Sequence, residues 1–300
     1  MNPSGMNRRA LLSLFPASAL AQGGGRPRPV LCLFSKHAAK LNYAELGKFA
    51  REANYDGIDL TVRPGGHVLP ERVADDLPKA AAAIASAGAK LPMITTGLTD
   101  PRTPESIATL RTAGTLKIPY WKVGYYRYTS KPDGSIDLNG KMAEVQSALK
   151  GFTELSRLHG VTAGFHNHSG NYVGSPVWDS RQLLAGLDSQ YMGYYFDPAH
   201  AVAEGGLFGW QASLEIASAN LKMVAVKDFY WEKNKSGKWT MRWCPLGQGM
   251  VDWQKVFARF AAVGFRGPIT VHTEYHTADE LQALADDGAV LRKLVDEAYR

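Results

Sequence analysis

AGFHNHSG at residues 163–170 sets a short apolar run directly against two histidines and an asparagine. The same design recurs in GYYFDPAH at 193–200, MVAVKDF at 223–229 and ITVHTEY at 269–275. Each run is too short for an ordinary helix and apolar enough to be a strand buried on both faces. If the runs are strands of one parallel barrel, the polar residues that follow them gather at a single rim, where such barrels carry their active sites.

Working outward from these runs, further strand candidates are Val30–Phe34, Gly57–Leu60, Lys90–Thr95 and Tyr120–Gly124, joining Val161–Phe165, Met192–Phe196, Met223–Val226 and Pro268–Val271. Helix candidates lie between them near 43–54, 76–88, 104–116, 138–158, 179–187, 210–219, 252–263 and 279–298. Asn42, Thr103-Pro104 and Asp252 are helix-start signals, and Gly88, Gly160 and Gly264 are stop signals. Eight strands alternating with eight helices predict an α/β chain folded as a single (β/α)8 barrel over 30–300. No G-x-G-x-x-G follows the first strand and no phosphate loop is present, so no nucleotide cofactor is expected. The longest irregular stretch, 229–251, reads as an excursion over the rim with Lys235-Ser236-Gly237-Lys238 at a hairpin tip.

The beginning of the chain differs in character. Arg8-Arg9 leads into an apolar stretch from Ala10 to Leu20 that closes on Ala19-Leu20-Ala21, the plan of a secretory leader over 1–21 and too short for a membrane anchor. The arginine pair resembles a twin-arginine signal, and residues 22–29 read as a linker, so the mature barrel is expected to be exported, to a periplasm where one exists. Removing Arg8 and Arg9 takes the formal charge from +6 to +4, and with no long basic run a nucleic-acid partner is not expected. Cys32 and Cys244 are the only cysteines, which excludes a disulfide framework and a cysteine-rich zinc site; Cys32 reads as a buried apolar residue, with pairing to Cys244 as the alternative.

Lys122, His166, His168, Asp197, His200, Lys227, Asp228, His272 and Glu274 all fall at strand ends. Carboxylate, imidazole and ammonium together can hold a cation, move a proton and stabilise an oxyanion. Each also has a plainer reading, such as Asp197 capping a turn or Lys227-Asp228 forming an ion pair, but these readings do not explain why the same chemistry recurs on five consecutive strands. Trp121, Tyr125, Tyr126, Trp178, Tyr230, Trp231 and Trp243 lie near the same ends, where ring faces can stack on sugar C–H groups.

Through FHNHSG, the D-x-x-H spacing of FDPAHA, VKDFYW, WCPLGQGMVDW (243–253) and GPITVHTEYH (267–276), the chain resembles the xylose-isomerase-like TIM barrels, the sugar phosphate isomerase/epimerase family, in an exported subgroup marked by HNHSG and HxEY. The resemblance implies a keto-sugar or polyol substrate and a divalent metal, often Mn²⁺, Mg²⁺, Co²⁺ or Zn²⁺. The family's usual ligands are Glu, Asp, His and Glu; here His166 stands for the first, Asp197 is in place, Ala225 stands for the histidine, and His272 or Glu274 takes the last position. His166, Asp197, His272 and Glu274 are therefore the metal candidates. His168 matches the family histidine that contacts or deprotonates substrate, and His200 the second residue of D-x-x-H.

The expected activity is isomerisation or epimerisation of a small carbohydrate by proton abstraction next to a carbonyl. His168, Lys227 and Glu274 are the catalytic candidates, and Lys122, His200, Asp228, Trp178 and Trp231 the substrate-binding ones. If no metal is bound, Lys122 and Lys227 carry the electrophilic role. A dehydratase or lyase on the same barrel, and a non-catalytic exported carbohydrate-binding protein, are the alternatives. Nucleic-acid repair, a chemistry of distant relatives, fits poorly: beyond Asp59, Arg63 and His67 the second and third strands offer few polar rim residues.

Overall fold

The computed structural model describes residues 28–300; the expected leader over 1–21 and most of the expected linker over 22–29 lie outside the described residues. Eight strands are parallel: β1 (Val30–Phe34), β2 (Gly57–Val62), β3 (Lys90–Thr96), β4 (Tyr120–Lys122), β5 (Thr162–His166), β6 (Met192–Phe196), β7 (Leu221–Val226) and, after a hairpin, β10 (Pro268–Val271). They close in the order β1-β10-β7-β6-β5-β4-β3-β2. The helices are α1 (Tyr43–Glu52), α2 (Val73–Ser86), α3 (Pro104–Thr115), α4 (Leu138–His159), α5 (Val177–Leu184), α6 (Pro198–Gly205), α7 (Gly209–Ser218), α8 (Trp253–Ala262) and α9 (Glu280–Ala298). The expected single (β/α)8 barrel is the fold observed. Asn42 makes a full capping box with Glu45, and the Thr103 and Asp252 side chains cap α3 and α8.

Because side chains alternate along a strand, every second residue points into the barrel. Met93, Tyr195, Met223 and Ala225 form a small apolar cluster separate from the larger core beneath the helices. Gly164 is required beside it: a Cβ there would come within 2.0 Å of Met223 Cε and 2.8 Å of Tyr195 Cβ. One alternation step further along β5, β6, β7 and β10 come His166, Asp197, Lys227 and His272, so the strand period itself delivers these polar residues to the mouth.

Two features extend the expected pattern. A short helix, α6, follows β6 directly, capped by Asp197. The 229–251 excursion contains the hairpin β8 (Asp228–Lys233) and β9 (Trp239–Cys244). Its tip is the expected one: Asn234 Oδ1 accepts from the Ser236 and Lys238 amides at 3.0 Å each, and Gly237 takes the positive φ of 77° that the turn needs. Cys32 and Cys244 are buried and unpaired. Among the described residues no helix is long and apolar enough to cross a membrane.

Asp228, a substrate-binding candidate from the sequence, has a structural position instead. It is 1% exposed, and its carboxylate accepts from the amides of Phe229 (3.0 Å), Gly247 (3.0 Å) and Val251 (3.3 Å) and from Trp253 Nε1 (2.8 Å). It thereby fastens the segment after the hairpin to the barrel, and Gly249 is small because a Cβ would meet Asp228 Oδ1 at 2.1 Å. The sequence reading paired it with Lys227, yet neighbours in a strand face opposite ways. Asp228→Ala strips an acceptor from four donors and is expected to cost about 3 kcal/mol in urea unfolding. Wild-type stability with weakened sugar binding would return it to the site.

Candidate active site at the mouth of the barrel

Asp197 sits at the centre and serves two purposes. Its Oδ1 accepts from the His200 amide at 3.1 Å, capping α6, while Oδ2 faces inward, 3.3 Å from Lys227 Nζ, 3.4 Å from His166 Nε2 and 3.7 Å from His200 Nε2. Its backbone is clamped by Asn167, the middle residue of HNH, whose amide accepts from Asp197 N at 2.8 Å and donates to Asp197 O at 3.0 Å. Lys227 Nζ also reaches Glu274 Oε2 at 3.1 Å, and Glu274 Oε1 accepts from Lys36 at 3.0 Å.

Two hydroxyls set the buried imidazoles. Tyr125 OH lies 2.7 Å from His166 Nδ1, and Ser169 Oγ lies 2.8 Å from His200 Nδ1. Hydroxyl donation to each Nδ1 leaves each Nε2 carrying hydrogen toward the Asp197 carboxylate, a tautomer assigned from the network. His168 is wired differently. Its Nδ1 lies 2.9 Å from the Ser169 carbonyl, which only accepts, so the proton is on Nδ1 and Nε2 keeps its lone pair. The ring is half-buried and packs on His200 at 4.0 Å between centroids and on Tyr172 at 4.4 Å.

Burial pushes His166 down to about 3 and His37 to about 4, and carries His200 and His272 well below the ordinary imidazole range. His168 is lowered too, by burial and then by the Lys227 charge, so it is a neutral base at physiological pH. Burial favours the neutral forms of Asp197, Glu274 and Lys227, but their mutual attraction outweighs it: both carboxylates are held low, and the ammonium is raised. Lys122 is the contrasting lysine, lowered by burial, with Nζ 3.4 Å from the centroid of the Tyr125 ring.

The structure thus brings together His166, His168, Asp197, His200, Lys227, His272 and Glu274, with Lys122 adjoining through Tyr125. It leaves out two aromatic candidates. Trp178 is 54% exposed on α5 with Arg181 over its ring, and Trp231 is 40% exposed on the hairpin against Phe229. Trp243 is the tryptophan that meets the site, with its ring centroid 4.8 Å from Lys227 Nζ and 5.6 Å from that of His200. The sequence reading also missed Lys36, Asn167 and Ser169. Lys36 carried a usable signal, since it follows the first strand as Lys227 follows the seventh.

The four metal candidates do not assemble as a ligand set. Each Glu274 oxygen is taken by a lysine, His272 Nε2 is 3.3 Å from Tyr195 OH, and His166 presents N–H rather than a lone pair to Asp197. Among the described residues no three His, Cys, Asp or Glu side chains stand where they could hold a metal ion. The residues as placed do not fit the divalent ion that the resemblance implies.

The model of the xylose isomerase-like TIM barrel family matches residues 47–294. The chain belongs to that family. No match was found among curated proteins. Among solved structures, this barrel is similar to the 3-keto-D-glucoside 4-epimerase YcjR of E. coli in its apo form, with a TM-score of 0.70 and 14% identity over 89% of this chain and 100% of that one. It is also similar to the D-allulose 3-epimerase of Methylomonas sp. (TM-score 0.67, 14% identity, 90% and 99% coverage). A third similar structure is a xylose isomerase-like TIM barrel protein of Mycobacterium smegmatis in complex with magnesium (TM-score 0.65, 16% identity, 86% and 89% coverage). At these identities the likeness is one of fold.

The buried imidazoles make stability depend on pH. His37, His166, His200 and His272 stay neutral when folded, whereas the unfolded chain takes up their protons as pH falls below 6.5. Asp59, pushed up to about 7 by burial, and Asp287, also raised by burial, act in the opposite sense but hold two protons against four imidazoles. The stabilisation of Asp197 and Glu274 is lost only at still lower pH, with the same sign as the histidines. The urea midpoint is therefore expected to fall between pH 6.5 and 4, and His166→Gln to flatten that fall. A midpoint independent of pH over this range would contradict the neutral assignment.

Proposed function

We propose that this protein is a keto-sugar isomerase or epimerase working through an enediolate. The observation that carries the reading is the free Nε2 of His168 in a mouth whose cation is the buried ammonium of Lys227. Charge makes the division of labour. His168 is neutral and accepts the proton on carbon, while Lys227 is fixed in its charged form by two carboxylates. An ammonium has three N–H bonds; one is donated to Glu274 Oε2, Asp197 Oδ2 lies within ion-pair distance at 3.3 Å, and donor capacity remains for a substrate oxygen.

In the reaction, Nε2 takes the proton from the carbon beside the carbonyl. The C–H electron pair forms the new carbon–carbon double bond, and the carbonyl pair moves onto oxygen, which Lys227 stabilises. Return of the proton to the former carbonyl carbon, with the adjacent hydroxyl proton passing to the enolate oxygen, gives the isomer; protonation of the original carbon on its opposite face, by a water on that side, gives the epimer while His168 releases its proton to solvent. Tyr125, Tyr172 and Trp243 supply apolar ring faces beside these groups, as a sugar requires. The names of the fold relatives, a 3-keto-D-glucoside epimerase and a D-allulose epimerase, select ketoses and keto-glycosides as probes. The leader-like residues 1–21 support a reaction outside the cytoplasm.

Exchange into deuterated water tests the reading without knowledge of the product. Deuterium is expected at the carbon next to the carbonyl of an accepted ketose, and His168→Ala, with an unchanged circular dichroism spectrum, is expected to slow exchange at least about 100-fold. Exchange at the wild-type rate in His168→Ala would remove this histidine from the mechanism. Binding of ketoses without any exchange would instead mark a carbohydrate-binding protein.

A further inference from the structure

We propose that Lys227 is the resident cation of this site, its ammonium standing where a divalent ion shared by Asp197 and Glu274 would sit, so that the barrel functions without a metal. The distances leave little room for both. Nζ is 3.3 Å from Asp197 Oδ2 and 3.1 Å from Glu274 Oε2, and the lysine side chain is 2% exposed. An ion at bonding distance from these oxygens would displace it.

The remaining donors are committed as well. Glu274 Oε1 is held by Lys36, Asp197 Oδ1 caps α6, and His166 Nε2 and His200 Nε2 stand 3.4 and 3.7 Å from Asp197 Oδ2. His166 Nε2, His200 Nε2 and Asp197 Oδ2 are buried without a well-aligned hydrogen bond, yet in this tautomer the two nitrogens offer protons, not lone pairs. On β7, the inward residue one step below Lys227 is Ala225, whose methyl packs with Met93, Tyr195 and Met223 and ligates nothing.

Local charge points the same way. Asp197 and Glu274 contribute two negative charges, and Lys227 and Lys36 offset both. A divalent ion added beside Lys227 would set like charges against each other where the carboxylates are already neutralised. The ammonium's occupancy is independent of the substrate; its use as the electrophile rests on the enediolate reading above.

The test uses the full chain and no sugar, so its failure is distinct from failure of that reading. Purified protein is incubated with Mn²⁺, Mg²⁺ or Zn²⁺ and freed of unbound ion by gel filtration. Metal content is then measured by mass spectrometry, and the melting temperature is recorded against Mn²⁺ concentration. Wild type is expected to retain no stoichiometric metal and to melt at the same temperature with and without Mn²⁺. Lys227→Met leaves buried Asp197 without its ammonium and Glu274 with Lys36 alone, and is expected to melt lower and to be raised again by Mn²⁺. Should that variant not fold, Lys227→Gln, which keeps an uncharged amide N–H₂ as donor, replaces it. One ion retained per wild-type chain would overturn the proposal, and so would a Lys227 variant indifferent to Mn²⁺.

Discussion

A lysine side chain with 2% of its surface exposed stays charged only when opposite charge surrounds it, and Lys227 meets Asp197 and Glu274 within 3.3 Å. Strand order makes this possible. β7 lies between β6 and β10 in the closed barrel, so the lysine comes from the middle strand and each carboxylate follows a neighbour. Lys36 follows β1, the next strand round, and His166 ends β5 on the other side. Removing either carboxylate would leave a buried charge short of compensation, so the ends of four adjacent strands are tied to one electrostatic arrangement. An open sheet with the same residues would not bring the two sides of this array together.

That dependence explains which parts of the molecule were legible in the sequence. The eight parallel strands were readable because each is a short apolar run between amphipathic segments, and their displacements are small, such as β5 at Thr162–His166 against an expected 161–165. His166, His168, Asp197, Lys227 and Glu274 were readable because they follow such runs directly. Asp228 was misassigned because adjacency along the chain is opposition across a strand: Lys227 points into the barrel and Asp228 into the loop that Trp253 anchors. Trp178 stands apart for another reason: it lies beyond the β5 end, in the first turn of α5, and its ring is turned to solvent. Asn167 and Ser169 act through partners 30 or more residues away, and local pattern carries no trace of such pairings; Lys36 differs, since its place just after β1 was a signal that could have been used.

The two histidines of HNH show how a difference of one contact divides structural from chemical roles. Both are adjacent to the same carboxylate and the same lysine charge. His166 is buried, with Nδ1 against a phenol and Nε2 against Asp197, so neither nitrogen is open to a substrate. His168 stands two residues on and half-buried, with Nδ1 spent on a backbone carbonyl and Nε2 uncommitted. Asn167, between them, points away from the mouth and locks the Asp197 backbone through both ends of its amide. The motif thus combines a buried hydrogen-bonding ring, a clamp and an available base within three residues.

An available base alone does not make an enediolate, because the carbon acid beside a ketone is far weaker than an imidazolium. The barrier falls only if the developing oxyanion is met by charge that is already in place, since reorganising a solvated cation during the reaction would forfeit the gain. Lys227 satisfies that condition more firmly than Lys122 does. Both are buried, but burial without a carboxylate within ion-pair distance lowers Lys122, whereas two carboxylates hold Lys227 protonated and fix its direction. In the proposed reaction the same two carboxylates would share the ammonium's charge with a substrate oxygen, tempering the electrophile as well as positioning it. Lys36 works against this loss by drawing on Glu274 from the other side, which makes a lysine beyond the immediate centre part of the tuning of Lys227.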